Sequence, residues 1–302
     1  MSITVKFTAL LYLVLLLVFS PSLQPLMAQP ILNNNDELLS EGRFMLGLSG
    51  MDFTFRDHAL LTVGGENSFT YQFNGDVYNA FIGSGKFSGI SIGYGTSTET
   101  FFSSSLADAL LGSEGPANEA DVRFLNIKAS LGGNSQLWQN ILSQDLNLYL
   151  PIRVHINFFN IYYDADDALR EVFNLNFQDN FRPLNKLESS FNIGLGVNYR
   201  TDRFFPLLQD RLLFDLHFSR GLGANVQYTD GDMFYGGARH DEINGSVHIL
   251  RILGQTSIVT GFRQIKGWSI QDGFDDFFSM LNDSDVFDSS HSSLMFFVGI
   301  KF

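Results

Sequence analysis

The stretch Leu146–Phe158 reads LNLYLPIRVHINF. Leu146, Leu148, Leu150, Ile152, Val154, Ile156 and Phe158 occupy one phase of a period-two pattern. Asn147, Tyr149, Pro151, Arg153, His155 and Asn157 occupy the other. Successive side chains of a strand point to opposite faces, so this alternation defines one apolar face and one wet face. A strand in a soluble domain is usually five or six residues long, and this run is about twice that. It suits a tilted strand crossing a bilayer, which needs roughly 9–11 residues.

The same alternation returns at Leu187–Arg200, Leu212–Phe218 and Leu294–Phe302. It is weaker at Phe44–Phe55, Phe69–Phe81, Phe87–Thr96, Val122–Leu131, Ile243–Leu253 and Ser257–Ile265. These segments predict about ten strands, within roughly 8–12, and bacterial single-chain barrels have even numbers. The predicted fold class is all-β, a transmembrane antiparallel up-and-down β-barrel over residues 43–302. With the N-terminus in the periplasm, outer connections are expected near 56–66, 97–121, 160–186, 221–242 and 267–290. Inner ones are expected near 82–85, 132–144, 201–209 and 254–256. Four of the five outer connections then exceed twenty residues while every inner one is shorter, the asymmetry of outer-membrane barrels. The outer segments from 97 onward also hold twenty of the 32 acidic residues. Within 132–144, Trp138, Ile141 and Leu142 have helical spacing, which fits either a short interfacial helix or a ragged turn anchored by Trp138.

Ahead of the strands, Lys6 and the apolar run Phe7–Phe19 lead to Leu26-Met27-Ala28, the layout of a secretory signal peptide. Cleavage after Ala28 is expected, leaving 29–42 as a periplasmic N-terminal segment before the barrel. Composition agrees with a surface that meets lipid: aromatics are 14%, and charged residues at 17% fall below the usual quarter. The chain has no Cys, which removes disulfides, thiolate metal sites and cysteine nucleophiles together. A net charge of −13 argues against nucleic acid, whose affinity comes from Lys and Arg on phosphates.

The last residues, LMFFVGIKF, place Phe296, Val298, Ile300 and Phe302 at every second position. This resembles the C-terminal signal of bacterial outer-membrane β-barrel proteins. The resemblance implies insertion into the outer membrane by the barrel-assembly machinery, with lipid and lipopolysaccharide as neighbours.

The inward phase carries Lys128, Arg153, His155, Glu188, Arg200, Asp215, His217, His248, Arg263 and Lys301. One expectation is a packed polar plug of salt bridges, since small barrels fill their interiors. The other is a narrow, positively biased channel or pocket with Arg153, Arg200 and Arg263 as selectivity groups, widened by the inward Gly89, Gly93, Gly194 and Gly196. Asp215-x-His217 puts a carboxylate and an imidazole on one face, a pairing that can orient a general base. It resembles the Asp–His pairs of the omptin outer-membrane proteases, also ten-stranded, but falls nearer mid-strand than the rim. The last outer loop bears Asp272, Asp275, Asp276, Asp283 and Asp285, where Ca²⁺ could bind, although the spacing does not match an EF-hand. No nucleotide-binding or serine-hydrolase motif is present. The leading expectation is a structural or binding outer-membrane protein without catalysis and with acidic outer loops. A passive channel for small polar or anionic solutes and a rim hydrolase are the alternatives.

Overall fold

A computed structural model describes residues 43–57, 69–84, 88–100, 119–138, 146–164, 184–201, 212–229, 232–253, 256–270 and 289–302. The signal segment 1–28, the segment 29–42 and the Asp272–Asp285 cluster lie outside these residues. The ten strands are β1 (Arg43–Asp57), β2 (Phe69–Ser84), β3 (Ser88–Thr100), β4 (Glu119–Trp138) and β5 (Leu146–Asp164), followed by β6 (Leu184–Thr201), β7 (Leu212–Thr229), β8 (Asp232–Leu253), β9 (Thr256–Ser269) and β10 (Ser289–Lys301). Each pairs antiparallel with its sequence neighbours, and β1 closes the barrel on β10 through Arg43↔Lys301 to Phe55↔Ser289. Closure leaves no unpaired edge, which is what a sheet in hydrocarbon requires. The all-β, up-and-down, ten-stranded expectation holds.

Two connections differ most from the sequence reading. The connection expected over 221–242 is strand: β7 runs to Thr229 and β8 starts at Asp232, paired continuously from Thr229↔Asp232 to Leu212↔Ile249. On β7 the outward Leu222, Ala224, Val226 and Tyr228 still alternate with the inward Gly221, Gly223, Asn225 and Gln227, but the outward Arg220, Arg239 and Asp241, which pair with one another, interrupt the apolar pattern. The outer connection therefore narrows to residues 230–231, so the expected alternation of long outer and short inner loops fails at this hairpin, and Asp232, Asp241 and Glu242 lie in strand rather than loop. At the opposite end β4 continues through Gly132, held at φ +138°, to an exposed Trp138, so no helix occupies 132–138.

Strands of up to 22 residues are much longer than a membrane needs. At ~3.3 Å per residue and a tilt near 40°, such a strand rises about 55 Å, against roughly 30 Å of hydrocarbon. The exterior divides accordingly. Toward the end where the chain enters and leaves, here the terminal end, outward residues are apolar: Leu46, Leu48, Tyr78, Ile82, Ile92, Tyr94, Leu195, Leu216, Phe296 and Val298 are all exposed. Toward the opposite, loop end they are mostly polar, as at Asp52, Gln72, Asn74, Asp76, Thr98, Asp121 and Lys266, with Tyr162, Met233 and Tyr235 as exposed exceptions. Cross-strand polar contacts hold that outer skin, including Thr98 Oγ1 donating to Asp121 at 3.1 Å and Arg123 with Asp164 at 2.7 Å. Arg239 pairs with Asp241 at 2.9 Å and lies 4.7 Å from the Trp268 ring centroid.

Candidate functional site in the barrel lumen

The expected inward phase is observed, and the lumen it lines has two layers of opposite character. In the loop-end layer Phe53, Phe55, Phe73, Phe124, Phe159, Ile161 and Leu184 are at most 2% exposed. Phe53 packs on Phe124 and Phe159 at centroid distances of 6.1 and 5.6 Å, and Phe73 stacks on Phe124 at 4.8 Å. His291 stacks flat on Phe53, at 17° between planes. One buried ion pair is set into this layer. Lys186 Nζ contacts Glu188 Oε1 at 2.8 Å, donates to Ser289 Oγ at 2.6 Å and to Ser269 Oγ, and sits 5.7 Å from the Phe53 ring. The sequence reading placed Lys186 in an outer connection and Glu188 in the lumen; both are in the lumen, as partners.

The layer toward the terminal end is built around Glu242, which is fully buried on β8. Its Oε2 accepts from Arg263 at 2.8 Å and Lys128 at 3.2 Å. Its Oε1 lies 3.7 Å from Arg153 and 3.6 Å from His217 Nε2. Four strands, β4, β5, β7 and β9, thus send a side chain to one carboxylate on β8. Desolvating an ion costs several kcal/mol, which only multiple good partners offset. Glu242 was missed as a lumen residue because period-two reading failed over its strand.

Asp215 and His217 belong to this layer and sit in the lumen, away from the loop-end rim. Tyr149 Oη donates to Asp215 Oδ1 at 2.6 Å, and Asp215 Oδ2 lies 3.6 Å from His217 Nδ1. Arg153 approaches His217 Nε2 at 2.8 Å. A guanidinium only donates, so Nε2 accepts and the ring proton belongs on Nδ1, facing Asp215. Both ring nitrogens are thereby turned to protein groups. His155 Nδ1 meets Ser130 Oγ at 2.8 Å, and His248 Nε2 meets Ser246 Oγ at 2.9 Å. Arg200 lies farther down β6, outside the cavity that Arg153 and Arg263 line.

The inward glycines do not widen the bore. A Cβ at Gly89 would meet the Phe81 ring at 2.2 Å, and one at Gly196 would meet the Tyr149 ring at 2.2 Å, so neighbouring rings already occupy that space. Among the described residues the lumen holds a void of about 50 Å³ between the layers and one of about 140 Å³ at the terminal end. A larger hollow of about 910 Å³ is on the lipid side, walled by Leu46, Phe296 and Val298 on one flank and Val197, Phe214 and Leu216 on the other.

No known family matches the chain, and no curated protein does. Similar solved structures include the Pseudomonas putida toluene transporter TodX, 10% identical over 91% of this chain and 95% of that one, with a TM-score of 0.22. The Ralstonia pickettii toluene transporter TbuX is 10% identical over 87% and 89%, with a TM-score of 0.20. A Pseudomonas aeruginosa FadL homologue is 6% identical over 89% and 92%, with a TM-score of 0.22. Overlap this low carries nothing about strand number, lumen or cargo; the first two rest on the geometry of the barrel itself. That geometry, an even-numbered closed barrel with an apolar outward belt and charges inside, is that of a bacterial outer-membrane β-barrel protein.

Proposed function

We propose that this chain is a sealed, non-catalytic outer-membrane barrel with a binding role rather than an open pore. The observation that carries the reading is the aromatic layer: Phe53, Phe73, Phe124 and Phe159 contact one another across the bore, with a cavity of only about 50 Å³ beneath them. Solute passage would require those rings to leave a close-packed arrangement. In this reading segment 1–28 is cleaved and 29–42 stays in the periplasm with both barrel termini. Phe296, Val298 and Ile300 on the outward face of the last strand, with Phe302 just beyond it, are all exposed and form the signal presented to the assembly machinery. The acid-rich connection 271–288 faces outward, with Ca²⁺ bridging it to lipopolysaccharide.

The test is a planar-bilayer recording of the refolded barrel. No unitary conductance is expected, and discrete steps would replace this reading with the passive channel. The rim-hydrolase alternative places Asp215 and His217 in catalysis. Asp215→Asn and His217→Ala should leave any peptidase or lipase activity of the purified barrel unchanged, and loss of activity in both would reinstate an enzyme.

A further inference from the structure

The cavity of about 140 Å³ at the terminal end is lined by Arg43, Arg153, Arg263 and Lys301, against the two carboxylates Asp215 and Glu242. Lys128 is a further cation directly behind Glu242, at 3.2 Å. Asp215 is already engaged by Tyr149, and Glu242 by Lys128 and Arg263. Leaving aside Lys301, which has contacts of its own, the described walls still carry three guanidiniums against two carboxylates in a place largely withdrawn from water, where an excess of one sign is costly.

Polar atoms point the same way. Among the described residues Arg43 Nε, Arg263 Nε and His248 Nδ1 are buried without a hydrogen-bond partner, and all three residues line this cavity. Because the aromatic layer closes the loop end, the cavity is a blind vestibule. The side chains of Arg153 and Asp215 are each 21% exposed, whereas the loop-end rings are essentially inaccessible. Its volume equals about five waters at ~30 Å³ each, well below the roughly 300–1,000 Å³ of a pocket for a drug-sized ligand.

A cation does not fit nearby. His155, His240 and Glu242 bring three ligand atoms within 4.8 Å of one another. Yet Lys128 and Arg263 already occupy Glu242 Oε2, and Asn192 Nδ2 donates to His240 Nδ1 at 2.9 Å. That bond puts the His240 proton on Nε2, the nitrogen a metal would need.

We propose that this vestibule binds one small oxyanion, a phosphate or carboxylate group, entering from the periplasmic side. Arg43 supplies donors at the mouth, Arg153 and Arg263 the charge at the floor, and His248 Nδ1–H a neutral donor on the wall. This rests on the binding reading above, and the two fail separately: conductance steps refute the seal, whereas the titration below addresses the vestibule.

The experiment is calorimetric titration of inorganic phosphate into the refolded barrel in an uncharged maltoside detergent at constant ionic strength. One phosphate per barrel is expected. Arg43→Gln should weaken it about tenfold, the scale of losing a charge-assisted hydrogen bond. Asp215→Asn should tighten it severalfold by removing a facing negative charge, a gain that misfolding cannot imitate. The titration is repeated in phosphatidylcholine nanodiscs with and without phosphatidylglycerol, where equal affinities are expected. Absence of binding, or binding indifferent to both substitutions, overturns the proposal. Loss of phosphate binding when anionic lipid is added gives the vestibule to a headgroup and overturns it as well.

Discussion

The two halves of this barrel solve opposite solvation problems with one set of strands. Near the termini the exterior is Leu, Ile, Phe and Tyr, and the interior is Glu242 with its cations. Near the loop end the exterior is mostly Asp, Asn, Gln and Lys, and the interior is a Phe cluster with the Lys186–Glu188 pair set beside it. The first half is inside-out and the second has the polarity of a soluble protein. The crossover falls along single strands: β1 presents Phe44, Leu46 and Leu48 outward, then Asp52 and Thr54, while its inward face goes from Arg43 to Phe53 and Phe55. The surroundings of each half set its rule. Hydrocarbon outside forbids exposed charge and leaves the lumen as the place for polar groups. Water outside restores the ordinary drive to bury aromatic surface.

The largest test of this contrast is Glu242→Ala. It strands Lys128, Arg153 and Arg263 around an empty site, and breaking a buried ionic cluster by removing one partner costs about 3–5 kcal/mol. Urea unfolding of the detergent-folded barrel measures it, and a loss below about 1 kcal/mol would mean that water, not protein, solvates those cations. In the other half, Phe53→Ala should cost about 3 kcal/mol in the same assay, as removal of a packed ring does. It should also introduce conductance if the aromatic layer is the seal. An unchanged, silent bilayer trace with intact folding would place the barrier elsewhere.

On the outside, the belt itself can be probed. Ile193→Arg, half exposed on the apolar exterior, should destabilise the lipid-embedded barrel by roughly 2–4 kcal/mol, whereas Gln72→Arg toward the loop end should change little. Equal effects would erase the boundary between the halves. The smallest effect is expected for Arg220→Ala. Its guanidinium is 42% exposed beside Asp241, and exposed ion pairs are worth at most about 1 kcal/mol.

The sequence was most legible where lipid dictated it. Leu146–Phe158, Leu187–Arg200 and Leu294–Phe302 alternate because hydrocarbon on one side and a polar lumen on the other demand opposite residues at each step. The pattern faded where strands emerge into water. From Arg220 to Glu242 the outward Leu222, Ala224, Val226 and Tyr228 are interrupted by the outward Arg220, Gly237, Arg239 and Asp241, so the apolar alternation is broken and a continuous hairpin read as a loop. Lumen residues on the well-patterned strands, Arg153, His155, Asp215 and His217, were assigned their face correctly. The hub that joins three of them, Glu242, lies inside the faded stretch. The aromatic layer was invisible for another reason: Phe53, Phe124 and Phe159 come from three strands, and only closure of the sheet brings them together.

The polarity switch along each strand is tested most directly by single-cysteine spin labelling, which is clean because the chain has no Cys of its own. Labels at Leu48, Leu195 and Phe296 should collide with lipid-soluble oxygen and be shielded from a water-soluble nickel chelate. Labels at Asp52, Gln72 and Lys266, on the same outward face, should show the reverse. Uniform oxygen preference over all six positions, or uniform chelate preference, would contradict a barrel that is half in lipid and half above it.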